Sequence, residues 1–262
     1  MNKKSLAFTE YIVDKRKQNR IEIEKQFSPQ INLIEKIINY QKELIELHNW
    51  GMPEVARPPK HITLIRSIFY KNLLTFSSLL EENRQGMYGT ARILMRYIFE
   101  GSMIAKYCAS QKDFSLYSQW HEGKDIKLTP EVMNKVYQPD MTPFREIWKL
   151  FCGFTHASIT SMQIELDASR YYKEISANFA FTLILLRFNY HILNTYILTP
   201  KARYYAKAYD KNSPIILLRK ECRPLLRECN KFYSRKSGIL VKNFKMKWAR
   251  KTMDNKKRHT EF

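Results

Sequence analysis

The chain has 262 residues, of which 44% are apolar and 13% aromatic, a composition typical of a globular protein and not of a disordered chain. Its 7 glycines and 10 prolines are too few for a turn-rich β-sandwich or barrel. The formal net charge of +20 at pH 7 favours partners that carry many negative charges, such as nucleic acids or anionic lipid surfaces.

The positive charge is concentrated near the C-terminus. Residues 200–262 contain 19 Lys and Arg against 5 Asp and Glu, a balance of +14, whereas residues 1–199 have a balance of only +6. A segment of this kind attracts phosphate backbones without reading base sequence. The sequence therefore predicts a nearly balanced body followed by a strongly basic extension.

Helical spacing of apolar residues begins near the N-terminus. A polar, charge-rich helix is predicted over residues 5–27. Ser28 and Pro29 then supply an N-cap and a first helical position, so we expect a second helix to begin there. The segment "GMPEVARPPK", residues 51–60, predicts a loop because proline removes backbone donors and disfavours helix in the preceding residue.

The middle of the chain predicts further helices. Two are expected at about 61–83 and 87–109, with Gly86 at the turn between them. A short helix is predicted at "FSLYSQW", and two later segments, "TPEVMNKVY" and "TPFREIWKLFCGFTHAS", each open with the helix-start signal Thr-Pro. A long apolar helix is expected at about 169–198. Polar residues interrupt it, so the sequence favours a buried core helix over a membrane span.

No period-two strand pattern persists anywhere, so the predicted fold class is all-α. We divide the chain into an N-terminal helical segment (residues 1–60), a helical bundle (61–199) and a basic helical C-terminal extension (200–262). The chain opens without a secretory pattern, and its four cysteines are scattered without a CxxC pair. Both features predict a cytoplasmic, reduced protein.

Several chemistries lack their sequence signatures. The chain contains no GxGxxG, GxxxxGK, HExxH or GxSxG pattern, so we expect no nucleotide cofactor, no metal site and no serine-hydrolase site. Cys222 and Cys229 are seven residues apart, which places them on one helical face. That spacing favours packing over zinc binding.

The stretch "RILMRYIFE" places Arg92, Arg96 and Glu100 four residues apart in an otherwise apolar segment. This spacing stacks them on one face of a helix. One interpretation is a set of ordinary intrahelical Arg–Glu pairs. The other, which we predict, is a polar lane that lines an interior or dimer-facing cleft together with His156.

Histidine provides the second candidate feature. His156 lies in "FCGFTHAS", and histidine is the side chain best suited to proton transfer near neutral pH. The alternative for His156 is a satisfied histidine at a helix end. Arg187 and His191 lie one turn apart in "RFNYH" and are interpreted as a polar patch in the long helix.

An A-R-x-L-x-R-x-x-x-E helix, here "ARILMRYIFE", followed by the element "FCGFTHAS", resembles helical families related to HEPN domains, over about residues 61–198. The resemblance implies a bundle of four or five helices, often dimeric. Many members are metal-independent ribonucleases of toxin–antitoxin, CRISPR-linked and phage-defence systems, and others are binding or assembly modules. Active members carry an Arg-x(4–6)-His motif. The chain has none, since three residues separate Arg187 from His191.

The resemblance also implies residue roles. An RNA 2′-OH would attack the adjacent phosphorus and leave a 2′,3′-cyclic phosphate. His156 would act as general base or acid, and Arg92 or Arg96 would stabilise charge on the phosphoryl oxygens. Glu100 would hold an arginine in place. A homodimer and a partner protein of a defence or toxin–antitoxin system are the further partners implied.

Three functions follow from these features. The first is a HEPN-like, RNA-directed protein that acts as a metal-independent endoribonuclease effector. The second is a non-catalytic nucleic-acid-binding or assembly module, and the third, least favoured, is a peripheral membrane protein. In the first two, RNA is favoured over DNA. The predicted nucleic-acid-binding residues are basic positions of the C-terminal extension: Arg219, Arg223, Arg227, Lys242, Lys245, Lys247, Arg250 and Lys251.

Overall fold

The computed structural model describes residues 3–50, 60–111, 113–124, 126, 128–136, 148, 151–152, 172–198 and 220–229. These residues are helical apart from short connections, and they contain no β-strand, which confirms the all-α fold class. In chain order the helices are α1 (Lys3–Trp50), α2 (Lys60–Arg84), α3 (Tyr88–Gln111), α4 (Ser115–His121), α5 (Asn134–Val136), α6 (Tyr172–Leu193) and α7 (220–229). One π-helical turn, Leu128–Met133, precedes α5, and another, Asn194–Leu198, follows α6.

Helix α1 is two helices joined at a kink. Phe27 has non-helical backbone angles (φ −121°, ψ 17°) two residues before Pro29. Proline lacks the N–H that an uninterrupted helix requires, and its ring clashes with the preceding turn. The kink lies where the sequence predicted a new helix to begin. It turns the buried Phe27 ring toward α6, with its centroid 5.2 Å from that of Phe179.

A tight turn joins α2 to α3. Gly86 has φ +79°, a conformation that glycine adopts without steric cost. The Met87 N–H donates to the Glu82 carbonyl at 2.8 Å. A β-carbon at Gly86 would lie 2.8 Å from Nδ2 of Asn19, so α1 packs directly on the turn. The predicted turn position is confirmed.

Helices α1, α2, α3 and α6 surround one core. Neighbours around this bundle are α1 with α2, α2 with α3, α3 with α6, and α6 with α1. Asn178 of α6 hydrogen-bonds to Asn83 beside the α2–α3 turn, whereas Asn189, three turns later, contacts Asn72 and Ser102. Helix α6 therefore runs parallel to α3 and antiparallel to α2.

The apolar segment predicted as a core helix is α6. Its fully or almost fully buried residues include Ile175, Phe179, Leu183, Leu186 and Ile192. Burying a side chain of this size stabilises a fold by about 1.5–3 kcal/mol. No helix in the described part of the chain is long and apolar enough to cross a membrane.

Helix α7 packs one face against the body of the protein. Cys222, Leu226 and Cys229 are buried at intervals of four and three residues, so the two cysteines serve packing as their spacing predicted. Tyr40 of α1 donates a hydrogen bond to Glu221 at 3.1 Å. This contact ties the described part of the basic extension to α1.

Candidate functional site

A chain of amide side chains crosses the bundle core. Asn189 donates to Oε1 of Gln41 at 2.9 Å, and Gln41 donates to the Leu186 carbonyl at 3.0 Å. Asn72 donates to Oδ1 of Asn189 at 3.0 Å and to Ser102 at 3.1 Å. These four polar residues are fully buried. Because each hydrogen bond holds a particular helix face inward, the set fixes the register of four helices.

Glycine makes room for this network. A β-carbon at Gly101 would lie 2.8 Å from Oδ1 of Asn72 and 3.3 Å from Cγ2 of Ile68. Both neighbours are buried, so neither can move into solvent without breaking contacts. Gly101 therefore permits close approach of α2 and α3 at the centre of the core.

Arg92, the first residue of the predicted stripe, is 6% exposed. Its Nε donates to Oδ1 of Asn178 at 2.8 Å, and Nη2 forms an ion pair with Glu174. Asn178 in turn donates to Asn83 and to the Tyr88 carbonyl, each at 3.1 Å. Arg92 therefore binds α3 to the start of α6, a long-range role that sequence spacing alone could not show.

Arg96 and Glu100 form a different arrangement. Nε of Arg96 donates to Glu100 at 3.0 Å, and their side chains are 27% and 23% exposed. The guanidinium carbon lies 4.8 Å from the ring centroid of Trp148. This half-buried pair is the intrahelical Arg–Glu interaction that the sequence allowed, and it is strengthened by a cation–π contact.

Cys152 lies in the electrostatic field of this pair. Burial raises the pKa of the Cys152 thiol, the positive charge of Arg96 opposes that rise, and the negative charge of Glu100 adds to it. The net effect keeps the thiol protonated near neutral pH. Cys152 is therefore a half-buried thiol beside the Arg96–Glu100 pair, and its surroundings do not favour the thiolate.

The structure thus divides the predicted stripe in two. Arg92 faces the interior and is held by α6, while Arg96 and Glu100 remain partly accessible beside Trp148. His156 lies outside the described residues. The grouping of these four residues in one cleft stays a prediction.

The Arg187–His191 pair lies in the second half of α6. Burial lowers the pKa of His191 to about 4, and the positive charges of Lys106 and Arg187 contribute to the shift. The imidazole is therefore neutral at pH 7. This supports a structural role for His191 within the polar patch.

Two of the predicted nucleic-acid-binding residues are described. Arg223 and Arg227 are both exposed on α7, outside its buried cysteine face. The remaining six predicted positions, Arg219, Lys242, Lys245, Lys247, Arg250 and Lys251, lie outside the described residues. The described part of the extension thus presents arginines to solvent one helical turn apart.

Sequence reasoning missed an aromatic–cation cluster on the body of the protein. Nζ of Lys71 lies 5.0 Å from the ring centroid of Tyr97 and 5.2 Å from that of Trp120. These residues come from α2, α3 and α4, so no local spacing could connect them. The sequence offered one signal for this cluster, because residues 60–80 contain no Asp or Glu.

Among the described residues, no group of three or more His, Cys, Asp or Glu side chains is placed to hold a metal ion. Comparison with protein-family models, with curated proteins and with solved structures gave no match.

Proposed function

We propose that this chain is an RNA-directed protein that gathers RNA electrostatically through its basic C-terminal extension. The observation that carries the proposal is the charge distribution: residues 200–262 have a balance of +14, and Arg223 and Arg227 are exposed on α7. Neutralising phosphates with Lys and Arg releases counterions and supplies sequence-independent affinity. RNA rather than DNA follows from the resemblance to HEPN-related families.

The first test measures affinity for a single-stranded RNA by fluorescence anisotropy over a range of salt concentrations. Each phosphate contact contributes about −0.7 to the slope of log K against log salt concentration for a single strand. Replacing Lys242, Lys245, Lys247 and Lys251 with Gln should reduce the slope and weaken binding. If the slope for this variant equals that of the native chain, the proposed role of the extension is refuted.

A matched control separates the effect of where the lysine charges lie from the effect of how many are removed. The variant with Gln at Lys17, Lys25, Lys36 and Lys42 loses the same four charges from exposed positions of α1. We expect it to retain most of the native affinity. An equal loss in both variants would show that RNA responds to net charge alone, and the extension would then have no special role.

Endoribonuclease activity is the second candidate function. The observation that favours it is the partly accessible Arg96, positioned by Glu100 and Trp148. In this mechanism Arg96 stabilises the charge on the phosphoryl oxygens, and His156 transfers the proton. Arg92 has a positioning role because its guanidinium is already held by Asn178 and Glu174.

The test is cleavage of end-labelled total RNA and tRNA with and without EDTA. We expect EDTA-resistant products that end in a cyclic phosphate, a large loss of cleavage in His156→Ala, and native activity in the control His48→Ala. Salt-sensitive RNA binding without cleavage in the native chain would eliminate the nuclease and leave the binding module.

A further inference from the structure

The Lys71 cluster extends into a row of aromatic rings on the protein surface. The centroid of Tyr97 lies 6.0 Å from that of Trp120, and Trp120 lies 6.4 Å from Tyr117. Tyr117 and His121 are stacked with centroids 5.8 Å apart and planes inclined by 12°. We call Lys71, Tyr97, Trp120, Tyr117 and His121 the Lys71 strip.

Helix α4 is only partly covered by core packing, through Leu116, Tyr117 and Trp120. Its only buried residue is Leu116. Tyr117 and Trp120 are half-buried and His121 is exposed, so three of the seven residues place rings at the surface. Lys71 is also exposed. A partly exposed row of aromatic rings with a lysine over one end has the composition of a nucleic-acid stacking surface.

The electrostatic surroundings of the strip suit a polyanion. Helix α2 contains no acidic residue before Glu81. Glu100, three residues after Tyr97, is ion-paired with Arg96 at 3.0 Å, and Glu122 is ion-paired with Lys124 at 2.7 Å. Asp113, four residues before Tyr117, accepts hydrogen bonds from Tyr107 and Ser115. Within the part of the chain that the structure describes, Lys71 forms no ion pair with a carboxylate, so its charge can attract a phosphate.

The strip is also flanked by exposed apolar side chains. Tyr70 and Leu74 of α2 are 47% and 58% exposed, and Ile93 of α3 is 46% exposed. On a helix, positions three and four residues apart are neighbours. Leu74 therefore adjoins Lys71 and Tyr70 on α2, and Ile93 adjoins Tyr97 on α3. A ligand bound to the strip would therefore contact aromatic rings and also apolar side chains beside the charge of Lys71.

We propose that the Lys71 strip binds single-stranded RNA, with unpaired bases stacked on its rings and a backbone phosphate on Lys71. This inference rests on the RNA-directed function proposed above and adds a preference for unpaired strands. Stacking on aromatic side chains is tolerant of base identity because every base has a π-face. Paired bases in a duplex cannot reach the rings, so the strip discriminates single strands from duplexes.

The test compares binding of a fluorescein-labelled U12 RNA with binding of a 12-base-pair RNA duplex. The variants are Lys71→Gln and the double variant Tyr117→Leu with His121→Ala, and Trp120 is left unchanged. Tyr117 packs partly against the core, so leucine keeps an apolar side chain there while removing the ring. The controls are Lys25→Gln and Tyr11→Leu, at exposed positions of α1. We expect the double variant to bind U12 about 5- to 150-fold more weakly, the range that follows from losing one base–aromatic stack.

The supporting result is a loss of U12 affinity in both strip variants, with duplex binding and the two controls near native. If the native chain binds U12 and the strip variants bind it equally well, the strip proposal is overturned while the RNA-directed function stands. Equal losses for U12 and duplex would overturn stacking as the mechanism. A native chain that binds neither RNA would overturn the proposed function itself.

Discussion

Replacing Arg92 with Ala tests whether the first residue of the stripe is a structural link between α3 and α6. The change removes the donor to Oδ1 of Asn178, which is fully buried, and the ion pair with Glu174. A buried acceptor left without its donor costs about 1–3 kcal/mol. Glu174 is 45% exposed, so water can solvate its carboxylate and the lost ion pair costs at most about 1 kcal/mol.

We therefore expect Arg92→Ala to lower the free energy of unfolding by about 2–3 kcal/mol. Helix propensity does not add to this cost, because Ala is the better helix former. Arg96→Ala is the matched control. It loses an intrahelical pair and a cation–π contact, together worth about 1 kcal/mol.

The assay is urea unfolding followed by circular dichroism at 222 nm. With a slope of about 2.5 kcal/mol per molar urea, Arg92→Ala should lower the midpoint by about 1 M and Arg96→Ala by about half as much or less. Equal midpoints for the two variants would refute the structural assignment of Arg92. A double-mutant cycle with Asn178→Leu should give a larger coupling energy than one with Glu174→Ala.

Three further stability predictions follow from the described contacts. Gly101→Ala should cost about 1–3 kcal/mol in urea unfolding, because the added methyl group would lie 2.8 Å from Asn72 in a closed core. His191 has a pKa of about 4 in the folded protein. As the pH falls below about 6.5, the unfolded chain therefore binds a proton at this histidine before the folded protein does. The stability that depends on a neutral His191 is therefore present above that pH and lost toward pH 4, and we expect about 2 kcal/mol to be lost between pH 7 and pH 5. Arg84→Gln should cost about 1–2 kcal/mol by thermal unfolding at low salt, because Arg84 contacts three glutamates, Glu24, Glu35 and Glu81, with only 18% of its side chain exposed.

Each of these predictions has its own control. Gly123→Ala meets no atom within 4 Å but keeps the strained φ of +74°, so it should cost only about 1 kcal/mol. His191→Leu should abolish most of the pH 7 to pH 5 slope, and an unchanged slope would contradict the His191 assignment. Lys17→Gln removes the exposed pair with Asp14 and should change stability by less than about 0.5 kcal/mol. If it costs as much as Arg84→Gln, the cost of Arg84→Gln cannot be assigned to the burial and number of the Arg84 ion pairs.

Local features of this fold were predictable because they depend on neighbouring residues. Pro29 removes a helix donor, so the break in α1 follows from its position. Gly86 adopts the left-handed conformation that ends α2. The spacing of Cys222 and Cys229 placed them on one face, and that face is buried. Such features need no knowledge of where the rest of the chain lies.

Long-range partners decided what the polar residues do. The sequence placed Arg92, Arg96 and Glu100 on one face of a helix, but only the packing of α6 makes Arg92 a buried link while Arg96 stays half accessible. In the same way, Lys71, Tyr97 and Trp120 have no shared spacing and meet because three helices converge. By itself the sequence determined the helices, their breaks and the distribution of charge, since these arise from propensity and composition. The tertiary structure decided which polar groups are buried, paired or exposed, because desolvation and hydrogen bonding depend on neighbours that are distant in the chain.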